Sequence, residues 1–184
     1  VNNHHNNQWS QLIVRDAMYD LNLVNHVATV TYTVEVASGE TIANPSNVKL
    51  RSAAYEDDLI WCCEPHTGNN TWHHIGRALG TESTLTVSTG GQTQQYTGTF
   101  AIDASWNLDK VSVVVFPQRD SNKNVLQSGE ACRMYYVTVE DLSPTIVSSS
   151  GPVDFDVEAT YEGCVDDDVV VTLDRRRVRN LRLL

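Results

Sequence analysis

Apolar and polar side chains alternate with a period of two along most of this chain. In Thr29-Val30-Thr31-Tyr32-Thr33-Val34-Glu35-Val36 the even positions are Val, Tyr, Val and Val, and the odd ones are mostly Thr. Successive side chains of an extended segment point to opposite faces, so this pattern predicts a strand with one buried face. Ala17 to Val24 reads as its partner, with Asn25-His26 making the turn. Val48 to Trp61 contains another strand, ending in Leu59-Ile60-Trp61. Leu85-Thr86-Val87 runs into Gly90-Gly91, a tight-turn signal. Gln95 to Asp103 follows, with Tyr96, Phe100 and Ile102 as apolar anchors. Val111-Ser112-Val113-Val114-Val115-Phe116 is short, β-branched and bounded by Lys110 and Pro117, which predicts a central buried strand. Asp120 to Asn124 turns the chain, and Val125 to Val139 returns.

About seven strands over the first 140 residues is the count of an immunoglobulin-like antiparallel β-sandwich, so the expected class is all-β. The best helical candidate is the short Thr71 to Leu79 segment. Leu142-Ser143-Pro144 through Gly151-Pro152 has the composition of a linker. Beyond it Val153 to Ala159 alternates strictly and Asp168 to Leu173 supplies a second strand, which together predict an additional C-terminal β-hairpin. A lone hairpin is marginal in water, so it has to dock on the first domain or on another molecule. The expected organisation is a sandwich domain at 1–141, a linker at 142–152, and a partial second domain at 153–184 made of the hairpin and a basic arm.

Composition narrows the function classes. The 184 residues are 41% hydrophobic, enough for a core, and the net charge is −10. That balance argues against nucleic acid and anionic membrane as partners. No apolar run approaches the roughly 20 residues of a membrane-spanning helix. After Val1 the first residues, Asn2 to Asn7, are polar and do not form a signal peptide, so a secreted chain would be a processed piece. Lysine is scarce, while Thr, Val, Ser and Asn abound, a profile common in extracellular β proteins. Cys62, Cys63, Cys132 and Cys164 are therefore disulfide candidates, and four cysteines allow three complete pairings.

Several clusters carry candidate chemistry. Cys62, Cys63, Glu64, His66, His73 and His74 form the densest one. Thiolates and imidazoles suit zinc or copper, so Cys63, His66, His73 and His74 are candidate metal ligands. Their spacing fits no standard zinc module, and adjacent strand cysteines point to opposite faces. The plainer reading is one disulfide, for instance to Cys132, with histidines hydrogen-bonding at a loop. Cys63 near His73 could be drawn as a nucleophile with its base, yet no nucleophile elbow accompanies them. Glu162, Asp166, Asp167 and Asp168 could hold calcium, although the spacing is not that of an EF-hand; a solvated acidic turn is the alternative. Apart from calcium no cofactor is expected. Glu56-Asp57-Asp58 is a second acidic cluster of the same solvated kind. Asn69-Asn70-Thr71 is a glycosylation sequon, inert in a bacterial source. The tail from Arg175, Arg176, Arg177 and Val178 to Leu181 and Leu184 holds five of the 13 basic residues, whereas residues 1–173 carry eight basic and 22 acidic side chains. That arm suits the acidic surface of a neighbouring copy better than a polyanion.

Two stretches resemble a known family. One is Asn70-Thr71-Trp72-His73-His74-Ile75-Gly76-Arg77-Ala78-Leu79. The other runs from Tyr96-Thr97-Gly98-Thr99-Phe100 through Val113-Val114-Val115-Phe116-Pro117-Gln118 to Val125-Leu126-Gln127. In order and spacing they resemble the C-terminal domain of the bacterial outer-membrane lipoprotein family named for its twenty-eight-kilodalton member, over residues 20–140. Those proteins pair a thioredoxin-like domain with an immunoglobulin-like one. The latter carries a His-x-Leu-Arg segment and then a strand ending in apolar-Phe-x-Gln. The resemblance implies a sandwich fold and an envelope or secreted location, and no catalytic residues. This chain has no Cys-x-x-Cys, so the family's redox part is not implied.

The expected function is that of a non-enzymatic secreted or cell-surface structural or adhesion module of the bacterial envelope. Its partners would be copies of itself or other envelope proteins, joined head to tail by strand or arm exchange. The rivals are a ligand-binding accessory domain using Trp61, Trp72 and Trp106, and a metal-binding or Cys/His-dependent enzyme.

Overall fold

The computed structural model describes residues 10–61, 70–141 and 157–165. The linker at 142–152 and the strand expected at 168–173 lie outside the described residues. The chain divides into two compact units, residues 1–134 and 135–184.

In the first unit, β1 (Leu12–Asn22) and β2 (Val27–Val36) form an antiparallel hairpin from Leu12 opposite Val36 to Asn22 opposite Val27. The Asn22 side-chain oxygen accepts from the backbone N–H groups of Val24 and Asn25, and His26 takes a left-handed φ of 53°, so the turn closes where the sequence places it. A bulge between Arg15 and Met18, with Asp16 at φ 50°, bends β1. The chain continues through β3 (Val48–Glu56), β4 (Leu59–Trp61), β5 (Asn70–Trp72), β6 (Ile75–Leu79), β7 (Ser83–Thr84), β8 (Thr93–Ala101), β9 (Val111–Arg119) and β10 (Gly129–Arg133).

The all-β class is the one that the alternation predicts, and no α-helix occurs among the described residues. The strand pairing does not divide into the two separate, purely antiparallel layers of a sandwich. One curled mixed sheet runs β6-β3-β9-β10-β1-β2-β8, with β7 also on β3. The joint is a parallel pairing of β1 with β10, Met18 opposite Cys132 and Tyr19 opposite Arg133. Period-two alternation states which face of a strand is buried but not which strand lies beside it, and the bulge at Arg15–Met18 frees β1 to pair on both edges.

The Thr71 to Leu79 segment is not helical: it is the end of β5 and the whole of β6, paired with β4 and β3. Tertiary pairing overrides a weak local preference there. Leu85 is buried in the core, but the short strand next to it is Ser83–Thr84 rather than residues 85–87. The return after Asn124 separates into β10 and β11 (Val137–Asp141). β11 belongs to the second unit, where it pairs antiparallel with β12 (Val157–Tyr161).

The core follows the inward phase of each strand. Ala28, Val30, Tyr32, Val34 and Val36 of β2 are buried, as are Val48, Leu50 and Ala54 of β3 and Val111, Val113 and Val115 of β9. Two phenols cross this interior. Tyr32 donates to the Arg51 carbonyl at 3.2 Å, Tyr96 of β8 lies 3.1 Å from the Ser52 hydroxyl, and the two rings stack at 4.6 Å. Burial raises the pKa of both phenols, which keeps them protonated as donors. The Tyr96 ring lies over Gly98 of its own strand, where a Cβ would collide with it.

Leu50 is fully buried on β3. Leu50→Ala is expected to lower the unfolding free energy by about 2–5 kcal/mol, read from the urea midpoint at unchanged slope.

Candidate functional site

Between β3 and β6, which pair with each other, the chain makes an excursion: β4 goes out and β5 returns. Leu59 faces Trp72 across this ribbon, and Ile60 faces Thr71. Both corners of its neck need a left-handed residue, Asp58 at φ 55° and His74 at φ 53°. Asp and His tolerate that region better than branched side chains do.

Charged groups bracket the neck. The Asp57 carboxylate accepts from the His74 backbone N–H at 2.6 Å. Asp58 meets His73 Nδ1 at 3.2 Å and Lys110 Nζ at 2.8 Å. The Lys110 ammonium holds the Asp58 carboxyl below its usual pKa, and Asp58 raises that of Lys110. Behind the neck Glu56 is 3% exposed. Arg77 Nε and Nη2 each donate to its Oε2 at 2.7 Å, and the Asn107 backbone N–H donates to its Oε1 at 2.9 Å. Arg77 is the extra residue of a bulge in β6, since Ala78 lies opposite Ala54 while Gly76 lies opposite Tyr55. A bulge re-aims its side chain, here onto the buried carboxylate.

Leu59, Trp72, Ile75 and Arg77 line a cleft of about 230 Å³ at this place. Trp72 remains 48% exposed; Ile60, on the other face of the ribbon, and Leu79, at the far end of β6, are exposed as well. What the arrangement can do chemically is hold an apolar group against an indole and a fixed guanidinium.

The candidates read from the sequence distribute as follows. His73 and His74 stand together at the ribbon neck, turned towards Asp57 and Asp58. Cys62, Cys63 and His66 lie outside the described residues. Among the described residues no group of three or more His, Cys, Asp or Glu side chains is placed to hold a metal ion. Cys132 on β10 and Cys164 after β12 are both disulfide-bonded. Glu162 is exposed beside Cys164, whereas Asp166, Asp167 and Asp168 lie outside the described residues, as do Arg175, Arg176, Arg177, Val178 and Leu181. Of the three tryptophans weighed as a contact surface, Trp106 packs on the core with its ring 6.3 Å from Phe100, and Trp72 faces solvent. The Trp61 side chain lies outside the described part.

The Glu56–Arg77 pair is absent from the sequence reading, which takes Glu56 for part of a solvated turn. A signal existed: Glu56 is in phase with the inward-facing Val48, Leu50, Ser52 and Ala54.

No family model matches the sequence, and no curated protein does. Among solved structures, the chain is similar to a crystal structure of a domain of the outer membrane lipoprotein Omp28 from Porphyromonas gingivalis. Identity is 13%, with 66% of this chain and 87% of that one covered, at a TM-score of 0.43. This is the family that the sequence resembles.

Removing one partner of a buried ion pair leaves an uncompensated charge. Arg77→Ala is therefore expected to cost roughly 3–5 kcal/mol of stability by denaturant titration, and Arg77→Ala combined with Glu56→Gln less than that. The Asp58–Lys110 pair is exposed and follows pH. Its contribution is present above the ordinary carboxylate pKa and fades as pH falls through the depressed folded value. In Lys110→Gln the Asp58 pKa should return towards that of a free carboxylate, read from its side-chain carbonyl resonance.

Proposed function

We propose that this chain is a non-enzymatic binding module of a bacterial cell-envelope or cell-surface protein, acting by protein–protein contact at the β4–β5 ribbon and needing no cofactor. The observation that carries this reading is the ribbon itself. Its Trp72 presents an exposed indole to water beside a preformed apolar cleft, and Ile60 is exposed on the ribbon's other face. An exposed aromatic side chain beside an apolar cleft is a feature of interaction sites. The aromatic anchor with a neighbouring arginine is the composition that dominates binding energy in protein interfaces.

The charges at the neck support a binding role over a catalytic one. Glu56 is matched by Arg77, Asp58 by Lys110, and Asp57 by a backbone N–H. Groups engaged in this way aim the ribbon; among the described residues none of these three carboxylates stands over the cleft as a free acid or base. The compartment is supported by the disulfide-bonded Cys132 and Cys164, since disulfides persist in oxidising surroundings outside the cytoplasm. The sequence resemblance to an outer-membrane lipoprotein family points the same way. A structural or adhesion role, with copies of the chain as partners, is the form of this reading that the arginine-rich segment favours.

Fractionation of the source cells, with the chain followed by antibody, should recover it with the envelope or the medium, Cys132 and Cys164 oxidised. Recovery in the cytoplasm with both thiols alkylatable overturns the proposal.

A further inference from the structure

We infer that the Trp72 cleft seats an apolar side chain from the 175–184 segment of a second copy, so that chains join head to tail. This rests on the ribbon being the binding face. Three observations converge on that occupant.

The first is size. A cleft of about 230 Å³ is below the roughly 300–1,000 Å³ of small-molecule pockets, a size that suits side chains better than a drug-sized ligand. Leu59, Ile75 and the Trp72 ring give it apolar walls. Arg77 on the remaining side is already neutralised by Glu56.

The second is charge. The carboxylates at the neck are Glu56, Asp57 and Asp58, against the cations Arg77 and Lys110. The carboxylates outnumber the cations there by one, and residues 1–173 as a whole carry 22 acidic against eight basic side chains. An apolar pit with an acidic rim calls for an occupant that is apolar and basic at once. Residues 175–184 are Arg-Arg-Arg-Val-Arg-Asn-Leu-Arg-Leu-Leu, with five arginines, four aliphatic side chains and no carboxylate. A leucine of that segment fills the pit while an adjacent guanidinium lies on the exposed indole, the geometry that arginine favours on aromatic faces.

The third is backbone. β6 ends the sheet path, and β4 pairs with β5 alone among the described residues. Both offer unpaired main-chain groups to an extended segment, whose alternate side chains then reach the cleft. Because segment and cleft are different surfaces of one chain, the contact is heterologous and propagates into rings or filaments.

The test uses the full-length oxidised chain in two variants. Trp72→Ala removes the seat; Arg176→Glu with Leu181→Asp removes the occupant. Light scattering of the wild type should show mass rising with concentration and falling with salt. Each variant alone should stay monomeric, with association at least about tenfold weaker. Mixed in equal amounts, they should form pairs and nothing larger, because one intact seat and one intact segment remain. As a second readout, a synthetic 175–184 peptide should quench wild-type indole fluorescence more than that of Trp72→Ala.

A wild type that stays monomeric, assembly that survives Trp72→Ala, or variants that fail to pair while the peptide shows no Trp72-dependent quenching overturns the inference. A monomer that still binds the peptide at Trp72 assigns the segment to its own chain, which also overturns the second copy as occupant. A monomeric chain found in the envelope defeats this inference alone; a cytoplasmic chain defeats the envelope reading whatever its assembly.

Discussion

The interior shared by β2, β3, β8 and β9 is the constraint on which the first unit depends. Each strand commits one face to it, and each fully buried Val, Leu or aromatic side chain contributes about 1.5–3 kcal/mol. An exposed ion pair contributes roughly 0–1 kcal/mol. The apolar alternation therefore holds the fold, and the surface charges only orient what is attached to it. The polar exceptions inside obey the same constraint: Ser52, Tyr32 and Tyr96 enter because each finds a hydrogen-bond partner.

The ribbon is what that frame leaves over. β3 and β6 are paired and packed, so the residues between them project from the sheet. Glu56 is the last inward position of β3, and it remains inward as a carboxylate because the Arg77 bulge brings a guanidinium to it. That pair fixes one wall of the Trp72 cleft. Its effect is geometric: burying two charges gains little over an apolar pair, but two guanidinium N–H groups on one carboxylate oxygen and the Asn107 N–H on the other fix the orientation. Asp57 and Asp58 then clamp the two corners. An apolar cleft on a rigid base, rimmed by negative charge, is suited to recognising an apolar and basic chain.

Much of the frame was legible in the residues. Thr29 to Val36 is a strand in the phase its pattern predicts, Val111 to Phe116 is a central strand between β3 and β10, and Asn25-His26 is in a turn. Less of the site was legible. The acidic and histidine-bearing segments around the neck stood out, but not their association, because Asp58 and Lys110 are 52 residues apart. Trp72 and Trp106 look alike in sequence; one is exposed and the other lies on the core, a difference of neighbours and not of composition.

The sequence by itself determined the class of the protein: extended segments, their inward faces, the turns between them and a surplus of acid. These are local or additive properties, set by side-chain order and counts. The tertiary structure alone decided the parallel closure of β1 on β10, the conversion of Thr71–Leu79 into strands, and the burial of Glu56 against Arg77. Each depends on groups far apart along the chain. Alternation carries no information about which edge meets which, because a period of two is the same for every possible partner.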